Sequence, residues 1–417
     1  MANTLLIIIV IILVFGYVME RFLDYLNATW WSNDLPEELR GIYDAEKYRK
    51  SQDYLRTNQR FSTVTSSLSF AVMLLMLLLG GFAWLDGVVR HYTHHPILMA
   101  LLFFGILGLA ADILSVPFSL YHTFVIEERF GFNKTTPKIF ILDKIKGLLL
   151  GTIIVGGLLA LIVWIYDSTG HWFWLIAWGA VGLFSVFMTM FYSSLIVPLF
   201  NKQTPLEVGE LRNAIESFAA DVGFKLKNIY VINGSKRSTK SNAYFSGLGP
   251  KKRIVLYDTL LKDHSTGELV AVLAHEIGHY KKKHTLEDTL ISLAETGLML
   301  FILSLFIGHP DLSKALGATE GSFHMGVLTF GLLYSPISMI LELFSNILSR
   351  KNEYAADRFA GEKYDPSALQ EALKKLSVNN LSNLRPHPAY VFVYYSHPPL
   401  LERLRALAEL GLHPPAG

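Results

Sequence analysis

The sequence predicts a mainly α-helical membrane protein with seven transmembrane helices and a small α+β insertion that faces water. Composition is the first observation behind this prediction: 51% of the 417 residues are apolar, only 17% are charged, and the mean hydropathy is +0.35. A chain of this composition is too apolar for an ordinary soluble protein. The second observation is a series of seven apolar spans, each close to the roughly 20 residues that cross a bilayer as a helix.

The apolar spans divide the chain into four predicted parts. Residues 1–199 hold the first five transmembrane helices with their loops, and 200–286 form the water-facing insertion. Residues 287–348 hold two more transmembrane helices, and 349–417 form a helical C-terminal part. The first span has no basic segment before it and no cleavage site after it, so we expect it to be retained. The seven spans are placed at 4–20, 66–88, 96–118, 147–166, 171–199, 287–308 and 322–348.

Lysine and arginine are distributed unevenly between the loops. Residues 21–62 carry seven of them, 119–146 carry five, and 200–286 is richer still. The loops after the second, fourth and sixth spans hold Arg90 and Lys314. Because positively charged loops stay in the cytoplasm, we expect the N-terminus outside and the insertion and C-terminal part in the cytoplasm. A net charge of +2 gives no reason to expect a nucleic-acid partner.

The water-facing insertion is predicted to begin with a helix and continue into a small sheet. Thr204, Pro205 and Glu207 combine an N-cap, a first-turn proline and a capping-box acid, so a helix is expected to start there. Three short β-like runs come next and lie directly before the helix that Ser265 opens. The strands are placed at 229–232, 242–245 and 253–257.

The segment AVLAHEIGHY carries the central motif of the chain. His275 and His279 are four residues apart, so they share one face of a helix, and Glu276 follows the first. In this H-E-x-x-H pattern the two imidazoles bind one zinc ion and the glutamate is the general base. Ser265 and Glu268 form a predicted capping box at the start of the helix. The alternative is a helix with two solvated histidines. A third ligand elsewhere in the chain would favour the metal site over this alternative.

A catalytic zinc site needs a third protein ligand and an open position for water. The chain has no cysteine, so we expect a carboxylate. Glu353 and Asp357 lie four residues apart where the seventh span continues, and they share a helix face. Glu353 would complete the metal site, Asp357 could hold the outer nitrogen of a ligating imidazole, and Glu342 is the next candidate. The alternative is a surface helix with scattered charges.

Six segments of the chain together are typical of one protein family: FVIEERFGFNKTT (124–136), GSKRSTKSNAYFSG (234–247), KKRIVLYDTLL (251–261), HEIGH (275–279), NEYAAD (352–357) and YSHPPLLER (395–403). Through these segments the chain resembles, almost from end to end, the type I CAAX prenyl protease family, whose members are gluzincin-like integral-membrane zinc metallopeptidases with seven transmembrane helices. The resemblance implies a large water-filled intramembrane chamber with the zinc at its cytoplasmic end. Asp112, Glu295 and Glu342 lie inside apolar spans, and either a polar chamber or pairing between helices would accommodate them.

The resemblance also implies roles for particular residues. His275, His279 and Glu353 match the family's ligands for one zinc ion, and Glu276 matches its general base. His397 matches a histidine that stabilises the oxyanion. The matching residues outside the metal site are Arg403, a supporting arginine, and Asn242, on the strand that holds the substrate backbone. Independently of the resemblance, Asn242, Ala243, Tyr244 and Phe245 supply an exposed strand next to the metal helix, along which a peptide would gain main-chain hydrogen bonds.

Three functional hypotheses stay open from the sequence. The first is an endopeptidase that trims prenylated CAAX proteins, and the second is a quality-control protease that acts on unprenylated or misfolded membrane proteins. The third, from another class, is a transporter or channel with a structural zinc ion, for which His264 and His284 are the nearest further histidines. A peptide or protein substrate and the lipid bilayer are the expected partners. A chain without cysteine and with an outside N-terminus would suit a bacterial inner membrane.

Overall fold

The computed structural model describes residues 2–35, 37, 40–225, 229–247 and 253–412. Residues 226–228, 248–252 and 413–417 of the predicted parts therefore lie outside the described residues. The described strands are β1 (Gln203–Pro205), β2 (Ile229–Ile232), β3 (Ala243–Ser246) and β4 (Arg253–Tyr257). The described helices are α1 (Ala2–Ala28), α2 (Ala45–Leu78), α3 (Gly81–Tyr92), α4 (Pro96–Tyr121), α5 (Glu128–Phe130), α6 (Pro137–Thr169), α7 (Phe173–Leu195), α8 (Val197–Phe200), α9 (Glu210–Asp221), α10 (Asp258–Asp263), α11 (Thr266–Lys281), α12 (His284–Phe306), α13 (Pro310–Ala315), α14 (Phe323–Lys363), α15 (Pro366–Asn379), α16 (Pro388–Tyr394) and α17 (Leu400–Leu412).

Within the described ranges, six helical segments are long and apolar enough to cross a membrane. One of them has 64 residues, about three times what a single crossing needs. It contains α6 and α7, which the short turn Gly170–Trp172 separates and which pack against each other. The six segments are Ala2–Ala28, Ala45–Leu78, Pro96–Phe130, Pro137–Phe200, His284–Phe306 and Phe323–Lys363.

The predicted span at 66–88 is wrong in its position. Helix α2 begins at Ala45 and ends at Leu78, and α3 begins at Gly81. Gly80 between them has a φ of 70°, in the left-handed region that glycine adopts without a Cβ penalty. Apolar residues continue on both sides of this break, so hydropathy alone indicated no boundary there.

Helix α14 runs without a break from the last apolar segment to Lys363, a length of 41 residues. It includes the predicted span 322–348 apart from Ser322, its N-cap, and it also carries Glu353 and Asp357. The predicted boundary between 348 and 349 therefore lies inside one helix. This continuity fixes the two carboxylates relative to the membrane-crossing part of the chain.

The four strands form one sheet in the order β1-β2-β4-β3, with β2 and β4 parallel and the other two pairs antiparallel. The predicted strands at 229–232 and 253–257 are confirmed, and β3 starts one residue later than predicted. The helix predicted at Thr204 is wrong: Thr204 pairs with Val231 in β1, and α9 begins only at Glu210. Strand β3 pairs with β4 alone among the described strands, which makes it the edge of the sheet.

Candidate metal centre and peptide-binding edge

Helix α11 is the buried centre of the water-facing part. Ser265 and Glu268 form the predicted capping box at its start, with both hydrogen bonds present. Leu273 and Ile277 are fully buried between the sheet and the neighbouring helices. Gly278 faces the backbone of Ala356 in α14, where a Cβ would lie only 3.2 Å from the Ala356 carbonyl oxygen. The two helices therefore approach closely at the turn that bears the histidines.

His275, His279 and Glu353 converge on one point. The Nε2 atoms of the two imidazoles are 3.1 Å apart, and Glu353 Oε1 lies 3.2 Å from Nε2 of His279. Glu353 Oε2 lies 3.5 Å from Nε2 of His275. The three side chains offer ligand atoms within 4.8 Å of one another, the only such group among the residues that the structure describes.

This donor set fits a zinc ion. Two imidazole nitrogens and one carboxylate oxygen are a common catalytic zinc set that leaves one position open. Glu353 is 4% exposed, and its Oε2 atom is buried without a hydrogen-bond partner in the described part of the chain. A buried carboxylate oxygen without a partner is costly, and a cation bound between the three side chains would satisfy it.

Asp357 and Arg403 stabilise the group formed by His275, His279 and Glu353, which is called the metal group below. Asp357 Oδ1 lies 2.8 Å from Nδ1 of His275. Arg403 donates two hydrogen bonds to the Asp357 carboxylate, from Nε at 2.8 Å and from Nη2 at 2.6 Å. Burial alone would lower the pKa of His275, but the Asp357 hydrogen bond and charge raise it above its ordinary value. Asp357 therefore contacts His275, one of the two histidines of the H-E-x-x-H motif.

Glu276 faces a cavity of about 460 Å³ that the metal group also lines. The edge strand forms one wall of this cavity, and the backbone of Phe245 hydrogen-bonds to the Glu276 carboxylate. Burial raises the pKa of Glu276, against the opposing effect of the two neighbouring histidines. The four predicted strand residues Asn242, Ala243, Tyr244 and Phe245 all line the cavity.

His397 reaches the same cavity from the loop before α17. Its Nε2 atom lies 3.3 Å from Glu353 Oε1, while the side chain is 66% exposed. Its Nδ1 atom lies 3.0 Å from the hydroxyl of Ser396. All the predicted site residues therefore lie in one place, and His397 is the most accessible of the four histidines that line the cavity.

His284 is a site residue for which sequence reasoning assigned no positioning role. Its Nδ1 atom lies 3.0 Å from Nδ1 of His279, on the side of that ring away from Glu353. Lys283 before it has a φ of 65°, which is uncommon for a residue other than glycine. This turn brings the first residue of α12 back beside α11. Spacing on one helix could not indicate the contact, because the two histidines belong to different helices.

Long apolar helices joined to an H-E-x-x-H helix, with a third carboxylate from a neighbouring helix, define an integral-membrane metalloprotease. Two family models match nearly the whole chain: the CAAX prenyl protease N-terminal domain with five membrane helices over residues 24–202, and peptidase family M48 over 205–410. The chain belongs to peptidase family M48, in the group with the CAAX prenyl protease membrane domain.

Curated relatives and a solved structure agree with this assignment. The chain is 39% identical over 410 residues to a probable CAAX prenyl protease 1 of Schizosaccharomyces pombe, covering 94% of this chain and 85% of the relative. It is 36% identical over 400 residues to a CAAX prenyl protease 1 homolog of Arabidopsis thaliana, covering 94% of each. The crystal structure of S. mikatae Ste24p superposes with a TM-score of 0.90 at 34% identity, covering 97% of this chain and 99% of that one.

Proposed function

We propose that this metalloprotease is a zinc endopeptidase that cuts near the C-terminus of prenylated CAAX proteins and removes the last three residues. The observation that carries the proposal is the convergence of His275, His279 and Glu353 beside Glu276 and the open edge of β3. The names of the curated relatives, CAAX prenyl protease 1, support the substrate class.

His275, His279 and Glu353 would hold one zinc ion per chain. When bound, this ion would supply a Lewis acid that activates water and polarises the scissile carbonyl. Glu276 is not part of the ligand group, and it would accept the proton of the attacking water and pass it to the leaving amine. Burial and the raised pKa suit Glu276 to both accepting and releasing that proton.

The edge of β3 would hold the substrate in an extended conformation. Its outer side has no partner strand among the described residues, and a peptide added there would gain main-chain hydrogen bonds without regard to sequence. The backbone contact between Phe245 and Glu276 would bring the scissile bond next to the base. Asn242 is exposed at the start of this edge and could bind the peptide with its side-chain amide.

His397 would donate a hydrogen bond to the oxyanion that forms on the scissile carbonyl. Its exposed position in the cavity leaves room for a substrate between it and the metal group. Asp357 would orient His275, and Arg403 would fix Asp357 through its two hydrogen bonds. Asp357 and Arg403 are therefore positioning residues in this mechanism.

We also propose that the chain crosses the membrane seven times around a hollow chamber, with the active site and C-terminus in the cytoplasm. The 64-residue segment contains two helices, each long enough for one crossing. Between 6% and 17% of the most apolar window of each spanning segment is buried within the protein, so most of these apolar surfaces would face lipid or a cavity. The bacterial inner membrane stays a prediction of the sequence, because the relatives named above come from eukaryotes.

A structural zinc ion in a transporter would need a closed shell of four ligands. Among the described residues no fourth ligand joins the group of three. His284 turns its Nδ1 atom to His279, and His264 is buried against the carbonyl groups of Leu260 and Ala372. These contacts favour the open, catalytic form of the site.

The test compares a farnesylated CAAX peptide with an unprenylated unfolded peptide, each incubated with the purified full-length protein in detergent. We expect release of the C-terminal tripeptide from the farnesylated peptide, loss of cleavage with a chelator, and recovery when zinc is added. Preferential cleavage of the unprenylated peptide would favour the quality-control function. Cleavage of neither peptide, or cleavage that resists chelation after zinc removal is verified, would contradict the proposal.

A further inference from the structure

The segment before the edge strand is held by a motif that contributes nothing to the metal cavity. The motif at 124–136 lies where α4 ends, and its extended part pairs with residues 237–239. The backbone N–H of Lys134 donates to the Arg237 carbonyl at 3.0 Å, and the N–H of Thr239 donates to the Phe132 carbonyl at 3.1 Å. The membrane-associated half of the chain therefore reaches the start of the peptide-binding edge.

Lys240 is fixed in this region by a partly buried set of partners. Its Nζ atom donates to the Tyr54 hydroxyl at 2.7 Å and lies 2.9 Å from Glu127 Oε2. Tyr54 donates to the other oxygen of Glu127 at 2.5 Å. The ammonium group also lies 4.4 Å from the centre of the Phe132 ring, within the range of a cation–π interaction.

Glu127 is the last residue of a π-helical turn, His122–Glu127, inserted where α4 ends. Such turns are rare and are often found at functional sites. Helix α5, of only three residues, follows Glu127 and ends before Gly131. The change from α- to π-helical geometry sets the direction of the Glu127 side chain, which places its carboxylate beside Lys240.

Ser241, the next residue, is held through its backbone by one side chain. Its N–H donates to Asn380 Oδ1 at 3.1 Å, and its carbonyl accepts from Asn380 Nδ2 at 3.1 Å. Ser241 is 4% exposed, so water does not replace these bonds. The Asn380 amide thus forms the pair of backbone hydrogen bonds that a neighbouring strand would form. These two bonds fix the position of Ser241 along the strand direction.

These contacts bear on catalysis because Asn242 and the strand come directly after them. Successive residues of a strand point to opposite faces, so a shift of one residue exchanges the two sets of side chains. The same edge also supplies the Phe245 contact to Glu276. A small movement of residues 240–241 would therefore move the substrate backbone relative to the base.

We infer that Lys240 with Glu127 and Tyr54, and Ser241 with Asn380, form an anchor that sets the position of the peptide-binding strand relative to the metal group. The anchor residues are positioning residues that determine peptide affinity and which bond is cut. This inference rests on the proposed peptidase function. It assigns to the 124–136 motif a role in positioning the peptide-binding strand, although that motif does not reach the cavity.

The test measures kcat, KM, zinc content and the masses of the products for Lys240→Met and Glu127→Gln. We expect KM to rise about 5- to 10-fold and kcat to fall as well, because a displaced strand binds the peptide less well and holds the scissile bond further from Glu276. Zinc content should stay unchanged, and a second product cut at a neighbouring bond should appear. Lys144→Met is the matched control, because Lys144 is as exposed as Lys240 and forms an ion pair of 2.8 Å with Asp112, and neither residue of this pair belongs to the anchor.

Exchange of the two charges in Lys240→Glu with Glu127→Lys should restore the KM and the single product, which a general loss of packing would not predict. If Lys240→Met does not fold, the inference is tested with Glu127→Gln alone, because glutamine keeps the shape of the Glu127 side chain and the oxygen that accepts from Tyr54. Kinetics and products of Glu127→Gln equal to those of Lys144→Met would overturn the inference. Absence of any cleavage by the unmodified protein would instead overturn the proposed function, and the inference with it.

Discussion

Asp357 Oδ1 lies 2.8 Å from Nδ1 of His275, the ring nitrogen opposite the one that faces Glu353. This contact places the proton of the imidazole on Nδ1 and leaves Nε2 free to bind a metal ion. Asp357 and Glu353 share one face of α14, so in the proposed site a single helix would supply both a metal ligand and the group that orients another ligand.

We expect Asp357→Asn to weaken zinc binding about 10- to 100-fold, because the orienting charge is lost while the three ligands remain. Competition of the purified protein against a zinc chelator measures this change. Asp112→Asn, which changes a carboxylate far along the chain in α4, is the control. Equal competition curves for Asp357→Asn and the unmodified protein would show that the contact between Asp357 and His275 does not affect zinc affinity.

Glu276→Gln should keep one zinc ion per chain and lower kcat at least about 100-fold, because glutamine cannot accept the proton of the attacking water. Metal analysis and peptide cleavage on the same sample provide the two measurements. Near-normal turnover in this variant would refute the assignment of Glu276 as the base.

His397→Ala should lower kcat about 100-fold with little change in zinc content, as expected when one donor to an oxyanion is removed. The effect on KM should be small, because the hydrogen bond would form mainly in the transition state. A large rise in KM at constant kcat would instead indicate a role in binding the substrate.

Gly278→Val should destabilise the metal centre, because a Cβ at this position would come within 3.2 Å of both the Ala356 backbone and the Phe359 Cβ. The branched side chain would push α11 away from α14 and separate the histidines from Glu353. We expect a lower unfolding temperature and weaker zinc binding, measured by thermal unfolding with and without chelator. Gly267→Val, near the start of the same helix and less crowded, is the control. An unchanged zinc affinity in Gly278→Val would contradict the need for this close approach.

Glu268 is expected to make a pH-dependent contribution to stability. Burial would raise its pKa, but hydrogen bonds from Lys375 and from the Ser265 backbone lower the pKa below its ordinary value. A lowered folded-state pKa gives stability that is present above the unfolded-state pKa and is lost as pH falls. Glu268→Gln should therefore cost about 0.5 kcal/mol near pH 7, because glutamine keeps the acceptor and loses only the charge toward Lys375, and progressively less below pH 4.5. Thermal unfolding of both proteins across this range checks the trend, and a constant difference would contradict it.

Local patterns in the sequence predicted which side chains share a helix face at the candidate metal centre. The spacing of His275 and His279 fixes them on one helix face, and the spacing of Glu353 and Asp357 does the same on another. The capping box at Ser265 is equally local. These features depend on helix geometry over four residues, which is why they needed no tertiary information.

Other parts of the structure depend on contacts between distant residues. Thr204 and Pro205 have the residue types of a helix start, but pairing with β2 makes them a strand. Lys240 meets Glu127 from a distant part of the chain, and no periodicity links the two. His284 reaches His279 only because Lys283 adopts a left-handed conformation. In each case tertiary packing outweighed local preference.

Because α14 is continuous, the number of residues that precede Glu353 in the helix determines where its carboxylate lies. Each residue added to a helix advances the residues after it by about 1.5 Å and turns them by about 100°. A single deletion between Pro336 and Asn352 would leave the hydropathy of the segment almost unchanged, yet it would rotate the carboxylate away from both imidazoles. The number of residues between the membrane-crossing part of α14 and Glu353 would therefore set the position of this carboxylate in the proposed metal site.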